Sequence, residues 1–366
     1  MRAVFDLDDT ISVHKNRDYP NAMPIDATIQ KIRELKRAGW EIYIYSARGQ
    51  ISCNGDVDLI EKRNRGIVQK WLDEHGVPCD KLIFGKPLAD LYVDDKGISL
   101  ADFLDGEFGI LHGGGSGKPI YRLGRYVKKT IGNEDETNQY KRWLAENDGI
   151  FPHPKVFSYV YNDVYMAYIN GQRACDVDAT FTPELIARCL YCRDATRQSF
   201  DIMPHIERLN QNRTDNAEAN ILLESVKEYL YDSRERLSEC GSFCHGDLTL
   251  GNIIDTGSGL FFIDPRYTPG ANSYLLDLAK LRMSLAGYEK IFGISKCDNT
   301  SHLKELDEFT ESSGIAKDVL ALEIMFIFRC YRYKSEDDKK KLIEQLVDYE
   351  ELKNENDRLK KQLARC

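Results

Sequence analysis

The chain has 366 residues, of which 42% are hydrophobic and 30% are charged, and its formal net charge is −9 at pH 7. At about 150 residues per domain, this length predicts two domains, with enough apolar residues for a core in each. The acidic balance argues against binding to nucleic acid, because a duplex binder needs a basic face that displaces counterions. It still allows a nucleotide that is held by local cations and Mg²⁺.

The chain opens on a strand-like segment rather than on a charged region followed by an apolar run. No uncharged apolar stretch reaches about 18 residues. We therefore expect a cytoplasmic protein without a membrane span. The ten cysteines are scattered, and Cys189 and Cys192 form a pair without a second pair spaced for zinc. Reduced cytoplasmic thiols are the preferred interpretation, and a zinc site is the alternative.

The first hundred residues alternate between strand-like and helix-like segments. Strands are predicted at 4–7, 41–45, 81–84 and 91–93, and helices at 27–38 and 58–75. Strands that alternate with helices indicate a parallel sheet with helices on its faces. We therefore predict a Rossmann-like α/β domain over residues 1–105.

The pattern changes after residue 105. Short strands with glycine turns are predicted up to about residue 169, and mainly helices from residue 183, interrupted by a strand-like stretch at 251–264. We predict a second domain of the α+β class over residues 106–335. A C-terminal helix is predicted over residues 336–366.

This last segment is dense in Lys, Glu and Asp, with apolar residues at a spacing of three and four. The positions that follow this spacing are Tyr349, Leu352, Asn356, Leu359 and Leu363, and Leu342 extends the a positions back by one heptad although Gln345 stands at the intervening d position. An Asn at an a position among leucines favours a parallel two-stranded coiled coil. Two interpretations stay open, a homodimer formed through this helix and a solvated terminal helix.

Polar residues follow four of the predicted N-terminal strands. In chain order they are Asp6 and Asp8, Ser46, Lys86, and the pair Asp94 and Asp95. Open α/β sheets bind ligands outside the carboxyl ends of their strands, so these side chains are expected to share one edge. One carboxylate can attack phosphorus, and a second, two residues on, can act as general acid and base. Carboxylates from two strands can hold Mg²⁺, while a serine and a lysine bind phosphate oxygens.

These residues resemble the motifs of the haloacid dehalogenase-like superfamily, and the resemblance covers residues 1–105. The motifs are Asp6-Leu-Asp8-Asp-Thr10, Ser46 in Ser-Ala-Arg-Gly, Lys86 in Gly-Lys-Pro, and Asp94-Asp95. The residues around these motifs are most similar to those of small phosphatases of capsular polysaccharide synthesis. Asp9 stands where glycine is common in the superfamily, and no insertion large enough for a cap follows the first motif.

The resemblance implies a Mg²⁺-dependent phosphatase, with Asp6 as the nucleophile and Asp8 as the general acid and base. The implied phosphate-binding residues are Thr10, Ser46 and Lys86. The implied Mg²⁺ ligands are Asp6, the backbone of Asp8, and one or both of Asp94 and Asp95.

A second group of polar residues lies in the C-terminal half. Asp247 is predicted in a loop, Asn252 follows five residues later, and Asp264 ends an apolar strand. Phosphoryl transfer needs a base that aligns the attacking hydroxyl and oxygen ligands for the Mg²⁺ on the triphosphate. Asp247 suits the first role, and Asn252 and Asp264 suit the second.

This pattern resembles the aminoglycoside phosphotransferase and choline kinase-like group, which implies a bilobal protein-kinase-like fold with ATP as phosphate donor. The signature is His245-Gly-Asp247 through Asn252, followed by Ile-Asp264-Pro-Arg266. In this group Asp277 matches a position that braces the catalytic loop, and we assign it a structural role. Arg266 and Tyr267 are expected to meet the substrate, and His245 is expected to stabilise the loop.

The nucleotide-binding residues implied by the same resemblance lie upstream. They are a lysine on the strand 126–129, with Lys128 preferred and Lys129 left open, its ion-pair partner Glu136, and the adenine-binding hinge residues Met166 and Tyr168. The glycine run at 113–117 is interpreted as a turn over the phosphates or as a hairpin turn without a ligand.

We therefore predict a bifunctional enzyme. The kinase would act on a small metabolite, a sugar or polyol, and the phosphatase on a phosphorylated sugar, within surface polysaccharide biosynthesis. One alternative is a kinase whose phosphatase-like domain only binds a phosphorylated ligand and regulates. Two others are a scaffold assembled through the C-terminal helix and an antibiotic-resistance kinase.

Overall fold

The computed structural model describes residues 1–14, 18–89, 97–111, 119–295, 297–331 and 333–347. It is a mixed α/β structure with two units. Unit 1 consists of Met1–Ile131 and Val156–Tyr168, and unit 2 of Gly132–Lys155 and the described residues from Ile169 onwards.

A parallel three-stranded sheet forms the N-terminal part of unit 1. The elements up to residue 105 are β1 (Arg2–Phe5), β2 (Ser12–Val13), β3 (Met23–Pro24), α1 (Asp26–Arg37), β4 (Glu41–Ser46), α2 (Val57–Glu74), β5 (Lys81–Phe84) and α3 (Leu100–Asp105). The sheet order is β1, β4, β5, with both pairs parallel. In β4, Ile42 and Ile44 are fully buried while the alternate positions are more open, as the period of a strand requires. The predicted parallel sheet is confirmed for these three strands, and the predicted strand 91–93 lies outside the described residues.

The first strand is displaced from its predicted position. β1 ends at Phe5, two residues before the predicted end at residue 7. The carbonyl of Leu7 accepts hydrogen bonds from the backbone N–H groups of Ile11 and Ser12, at 3.0 and 2.9 Å. Leu7 therefore belongs to a turn, and its apolar side chain is buried in the core without lying in the strand.

A five-stranded antiparallel sheet completes unit 1. Its strands are β6 (Phe108–Leu111), β7 (Ile120–Leu123), β8 (Tyr126–Thr130), β9 (Val156–Val160) and β10 (Asp163–Ala167), in the order β6, β7, β8, β10, β9. The turn from β7 to β8 contains Gly124 at φ +64°, a conformation that glycine adopts without strain. The short strands predicted for this region are confirmed, but the described turn from β9 to β10 has no glycine and a helix at Glu134–Glu146 separates β8 from β9.

Contacts around α3 join the two sheets of unit 1. Lys31 of α1 donates to the carbonyl oxygens of Phe103, at 2.7 Å, and of Gly106. The ring of Phe103 packs on that of Phe108 with centroids 5.1 Å apart, and Arg125 pairs with Asp102. The two units are defined by which segments pack on one another, and not by function. The functional division at residues 105/106 therefore stays a prediction.

Helices dominate unit 2. Its elements are α4 (Glu134–Glu146), β11 (Gln172–Arg173), α5 (Thr182–Ala195), α6 (Met203–Leu209), α7 (Ala217–Asp232), α8 (Arg234–Ser238), β12 (Ile253–Asp255), β13 (Leu260–Phe262), α9 (Tyr274–Leu285), α10 (Tyr288–Ile291), α11 (Thr300–Ser312), α12 (Ala316–Tyr331) and α13 (Glu336–Val347). Most residues of α9 and α12 are buried. Helices that are apolar on all sides lie inside a domain, so α9 and α12 form the centre of this core.

The start of α13 belongs to the same core. Leu342, interpreted above as an a position of a coiled coil, is fully buried and packs in the apolar cluster of unit 2. The interpretation of Leu342 as part of an exposed seam is therefore wrong. The remaining heptad positions, from Tyr349 to Leu363, lie outside the described residues, and dimerisation through them stays a prediction. None of the helices in the described part of the chain is both long and apolar enough to cross a membrane.

A buried ion-pair network holds three helices of unit 2 together. The guanidinium of Arg282 on α9 lies 2.7 Å from Asp307 on α11 and 2.5 Å from Glu323 on α12. Glu323 is completely buried. Burial lowers the pKa of Arg282, but the charges of Glu323 and Asp307 outweigh burial and raise it. The pairing therefore compensates charges that would be costly to bury alone.

Replacing Arg282 by methionine should destabilise unit 2 by about 3–5 kcal/mol, because the buried carboxylate of Glu323 loses this cation. Urea unfolding followed by circular dichroism measures the loss as a lower transition midpoint. Arg193→Met is the matched control, since Arg193 pairs with Asp194 at the surface. Equal midpoints for the two variants would contradict the assignment.

Candidate functional sites

The polar residues of the first site meet at the carboxyl edge of the parallel sheet. Asp6 follows β1, Ser46 ends β4, and Lys86 lies two residues after β5. The backbone N–H of Lys86 donates to the carbonyl of Ser46 at 3.3 Å, which ties the last two segments together. The structure thus places Asp6, Ser46 and Lys86 at one edge, as the parallel strand order requires.

Asp6 is held by two donors. The ammonium of Lys86 lies 2.7 Å from Oδ2, and the backbone N–H of Leu7 donates to Oδ1 at 2.8 Å. The carboxylate is one-third exposed. A carboxylate fixed in this way can present an oxygen to a ligand while its charge is balanced by the lysine.

Asp8 is bound by an arginine to which the sequence argument gave no role. Arg48 donates through Nε at 2.9 Å and through Nη2 at 2.7 Å to Oδ1 of Asp8. Its side chain is 1% exposed, and its Nη2 also donates to Oγ of Ser12 at 3.1 Å. The backbone N–H of Arg48 donates to Oγ of Ser46, so the Ser-x-Arg spacing could have indicated the residue.

Donors without a partner remain beside Asp8. Within the described residues, Nη1 of Arg48 and Nδ1 of His14 are buried and make no hydrogen bond. Nε2 of His14 lies 3.8 Å from Asp8. Buried donors are satisfied in most proteins, and an anion such as phosphate would satisfy these.

The turn after Asp8 adopts a left-handed conformation at Asp9, with φ +57°. Aspartate tolerates this region better than most residues other than glycine, which explains how Asp9 can replace the glycine. Thr10 is half-buried in the same turn. Asp94 and Asp95 lie outside the described residues, so the predicted Mg²⁺ ligands cannot all be placed. Among the described residues no group of three acidic, histidine or cysteine side chains is arranged for a metal.

The second site is built on the loop before β12 and on the end of β13. The antiparallel register pairs Ile253 with Phe262. Asn252 and Asp264 therefore lie next to each other at one end of the hairpin, and the N–H of Ile263 donates to the carbonyl of Asn252 at 2.9 Å. Asp264 has φ +60°, which turns the chain away directly after the strand.

The donor set at this end of the hairpin suits a hard cation. Nδ2 of Asn252 donates to the carbonyl of Asp247 at 2.9 Å, so its amide oxygen is directed elsewhere. With the carboxylate of Asp264, it offers two oxygen ligands, as Mg²⁺ prefers. The predicted pair is thus compatible with Mg²⁺ in residue type and placement.

The catalytic loop is anchored by Asp277 of α9, as predicted. Its carboxylate accepts hydrogen bonds from the backbone N–H groups of His245, at 2.6 Å, and Gly246, at 2.7 Å. Complete burial raises the pKa of Asp277 to about 7. Gly246 has φ +78°, and a Cβ there would collide with the carbonyl oxygen of Arg266. Glycine is therefore required where the catalytic loop meets the segment after Asp264.

Asp247 faces a lysine that the sequence argument missed. Nζ of Lys280 on α9 lies 3.1 Å from Oδ1 of Asp247. Burial raises the pKa of Asp247, but the charges of Lys280 and Arg266 outweigh burial and hold it below its ordinary value. This lowered pKa favours the ionised form of the Asp247 carboxylate. Lys280 follows Asp277 by three residues on the same helix. This spacing places both side chains on one helix face, and it could have indicated that Lys280 lies near the loop.

His245 plays the structural role that was expected of it. Its ring is completely buried and packs edge-on against Trp143 and Phe151, with centroids 5.7 Å apart in each case. Burial lowers the pKa of His245 to about 4. Trp143 also donates through its indole N–H to the carbonyl of Cys244 at 2.9 Å, which fixes the loop from the α4 side.

The predicted nucleotide-binding residues are described within their own units. Lys128, on β8 of unit 1, forms an ion pair with Asp163 at 2.8 Å, and strand alternation directs Lys129 to the other face. Met166 is buried on β10, and Tyr168 follows that strand with its ring 3.7 Å from the guanidinium carbon of Arg122. Glu136 lies in the first turn of α4 in unit 2, where its N–H donates to Asn133. Nucleotide binding by these residues stays a prediction.

No protein-family model matches the chain, and none of the curated proteins matches it. Among solved structures, a crystallised target protein from Vibrio cholerae is 32% identical over 29% of this chain and 89% of its own, with a TM-score of 0.28.

Two kinases are similar over a longer part of the chain. An ethanolamine kinase from Plasmodium vivax is 16% identical over 69% of this chain and 83% of its own, with a TM-score of 0.45. A choline kinase from Streptococcus pneumoniae is 17% identical over 66% of this chain and 92% of its own, with a TM-score of 0.44. Because these identities and TM-scores are low, the functional argument rests on the residues of the two sites.

Asp277→Asn should change how stability depends on pH. The carboxyl has a reference pKa of 3.8, and burial raises it to about 7 in the folded chain. Between these values the folded chain holds a proton that the unfolded chain has released, so this group stabilises the fold less as pH rises. The difference in free energy of unfolding between wild type and Asp277→Asn should therefore decline from pH 4 to about pH 7. Urea titrations across this range measure it, and a constant difference would refute the assignment.

Proposed function

We propose that the second site makes the protein a kinase that transfers the γ-phosphate of ATP to a hydroxyl of a small metabolite. The observation that supports this most is the arrangement around Asp247. An ionised carboxylate is paired with Lys280 at 3.1 Å, and the Asn252 amide that supports its loop lies next to Asp264. This combination supplies a base from the loop, a cation from α9 and two oxygens suited to a metal at the hairpin.

Each side chain has a role in this proposal. Asp247 orients the acceptor hydroxyl and takes its proton, while the acceptor oxygen forms a bond to the γ-phosphorus and the bond to ADP breaks. Lys280 orients Asp247 and offsets negative charge on the transferred group. Asn252 and Asp264 would hold Mg²⁺, which neutralises charge on the triphosphate. Lys128, Glu136, Met166 and Tyr168 are proposed to bind the nucleotide.

We further propose that the first site is a Mg²⁺-dependent phosphatase that acts on a phosphorylated sugar. Asp6, fixed by Lys86, would attack phosphorus to form an aspartyl phosphate, with release of the alcohol. Asp8, oriented by Arg48, would protonate the leaving oxygen and later activate water. The buried donors of Arg48 and His14 support an anionic ligand here. Thr10, Ser46 and Lys86 would bind the remaining phosphate oxygens, and Asp94 or Asp95 would complete the metal site.

The substrates and pathway belong to the same proposal. We infer a sugar or polyol as kinase acceptor, a cytoplasmic location, and a role in surface polysaccharide biosynthesis, which rests on the sequence resemblance of the first site. The same buried donors also fit a module that binds a phosphorylated ligand without hydrolysing it. A regulatory first domain is therefore the second candidate.

Asp247→Asn should lower the rate of phosphate transfer by about 10²- to 10⁴-fold, because the base is lost while the shape of the side chain is kept. ADP release from ATP, measured with a panel of sugars and polyols, follows the reaction. Asp255→Asn, on the same hairpin but outside the site, is the matched control and should retain activity. Normal transfer by Asp247→Asn would exclude the kinase assignment for this site.

Asp6→Asn should abolish phosphate release from sugar phosphates and leave ADP release by the kinase site unchanged, because an amide cannot form the aspartyl phosphate. Colorimetric phosphate measurement with wild type, Asp6→Asn and the exposed control Asp58→Asn tests this. A wild type that binds sugar phosphates but releases no phosphate would favour the regulatory module. Full phosphate release by Asp6→Asn would refute the phosphatase.

A further inference from the structure

Lys280 pairs with Asp247, the charges of Arg266 and Arg329 also act on Asp247, and the charge of Arg208 acts on Arg329. We refer to these four side chains as the basic cluster. Its members are Arg208 on α6, Arg266 after the metal-binding loop, Lys280 on α9 and Arg329 on α12. Segments far apart in sequence thus contribute like charges to one region. Since like charges repel, such a cluster requires compensation.

An aromatic ring lies between two members of the cluster. Nζ of Lys280 is 4.3 Å from the centroid of the Phe326 ring, and Cζ of Arg329 is 5.5 Å from the same centroid. Phe326 is buried, so its position is fixed by the core. Lys280 also contacts Asp247. The ring of Phe326 therefore lies between Arg329 and the lysine that pairs with Asp247.

Arg329 is half-buried beside a neutral partner. Its Nη1 donates to Nδ1 of His205 at 3.1 Å, and Nε2 of His205 donates to the carbonyl of Ala271 at 3.0 Å. These two bonds assign the proton of the neutral imidazole to Nε2. Burial lowers the pKa of His205 to about 4, so the imidazole adds no charge at neutral pH. The charge of the Arg329 guanidinium is therefore not balanced by this contact.

The cluster has more positive than negative charge. Within the described residues, no carboxylate lies at ion-pair distance from Arg208, Arg266 or Arg329. The carboxylate of Asp247 is taken by Lys280. Burial lowers the pKa of Arg329, and the charge of Arg208 lowers it further. The carboxylate of Asp201, near His205, accepts the N–H of Met203 instead.

A half-buried guanidinium that has no carboxylate partner leaves its charge available to an anionic ligand. We propose that the acceptor alcohol of the kinase carries a phosphate or carboxylate group, which Arg329, Arg266 and Arg208 bind while its hydroxyl meets Asp247. This inference rests on the proposed kinase function and narrows its substrate class. Guanidinium groups bind both anions through paired hydrogen bonds, whereas a cationic amino alcohol would be repelled.

The test compares neutral acceptors with derivatives that carry one anionic group. The panel consists of glycerol with glycerol 3-phosphate and glycerate, and of glucose with glucose 1-phosphate and glucuronate. For wild type we expect kcat/KM to be about 10- to 100-fold higher for an anionic member than for its neutral partner, as hydrogen bonds to charged groups imply. Comparing the phosphate esters with the carboxylates shows which of the two anionic groups the site prefers.

Arg329→Met should raise KM for the anionic acceptors by about 10-fold or more, with KM for ATP and turnover of the neutral acceptors unchanged. Arg329→Lys should recover part of the loss, because it restores the charge without the planar fork. The exposed variant Arg208→Met should give the same selective loss on a smaller scale and leaves the buried core unchanged. Arg234→Met, an exposed arginine on α8, is the control and should match wild type.

Equal kcat/KM for charged and neutral acceptors would overturn the inference while leaving the kinase intact. So would variants of the cluster that lose charged and neutral acceptors equally. Absence of ADP release with every acceptor, or release that Asp247→Asn does not reduce, would instead count against the kinase itself.

Discussion

The carboxylate of Asp277 is the contact on which the kinase-like site depends. It lies at the centre of an apolar core and accepts two backbone hydrogen bonds from the catalytic loop. Removing a carboxyl group from water is unfavourable, and these two bonds are the compensation that the fold provides. Because α9 is held by α11 and α12 through Arg282, the loop is fixed to the most rigid part of unit 2. Helix α9 therefore holds the loop through Asp277, pairs with the carboxylate of Asp247 through Lys280, and is joined to α11 and α12 through Arg282.

The two sites share a feature in their electrostatics. In each, a carboxylate that is proposed to react is paired with a lysine, Asp6 with Lys86 and Asp247 with Lys280. A second layer of arginine lies beside each pair, Arg48 in unit 1 and the basic cluster in unit 2. Local cations of this kind can attract phosphate groups even in a chain with a net charge of −9.

The sequence predicted those parts of the sites that are local in the chain. The spacing from Asp247 through Asn252 to Asp264 is contained in one loop and one hairpin, and Asp277 came from the group resemblance. Lys280 and Arg329 were missed because helix packing brings them to Asp247 from 33 and 82 residues away. Arg48 was missed because the motif Ser-Ala-Arg-Gly was interpreted only for its phosphate-binding residue, Ser46.

Leu342 was misinterpreted for a related reason. A spacing of three and four residues describes any helix with one apolar face, whether that face meets a partner or the core of its own chain. The predicted strand 4–7 was displaced because an apolar residue, Leu7, is buried from a turn rather than from a strand. In both cases the sequence shows that a side chain is buried but does not show against what.

The close approach at Gly246 has a consequence for how this site can diversify. The main chain of Arg266 is held against the catalytic loop, since its carbonyl oxygen fills the space of a side chain and its N–H donates to the carbonyl of His245 at 2.9 Å. The segments that carry Asp247 and Asp264 are therefore held against each other through their main chains. In the proposed kinase, a change of acceptor would then come from exchanging side chains around this main chain. Relatives with different substrates should keep this backbone and differ at positions such as 208, 266 and 329.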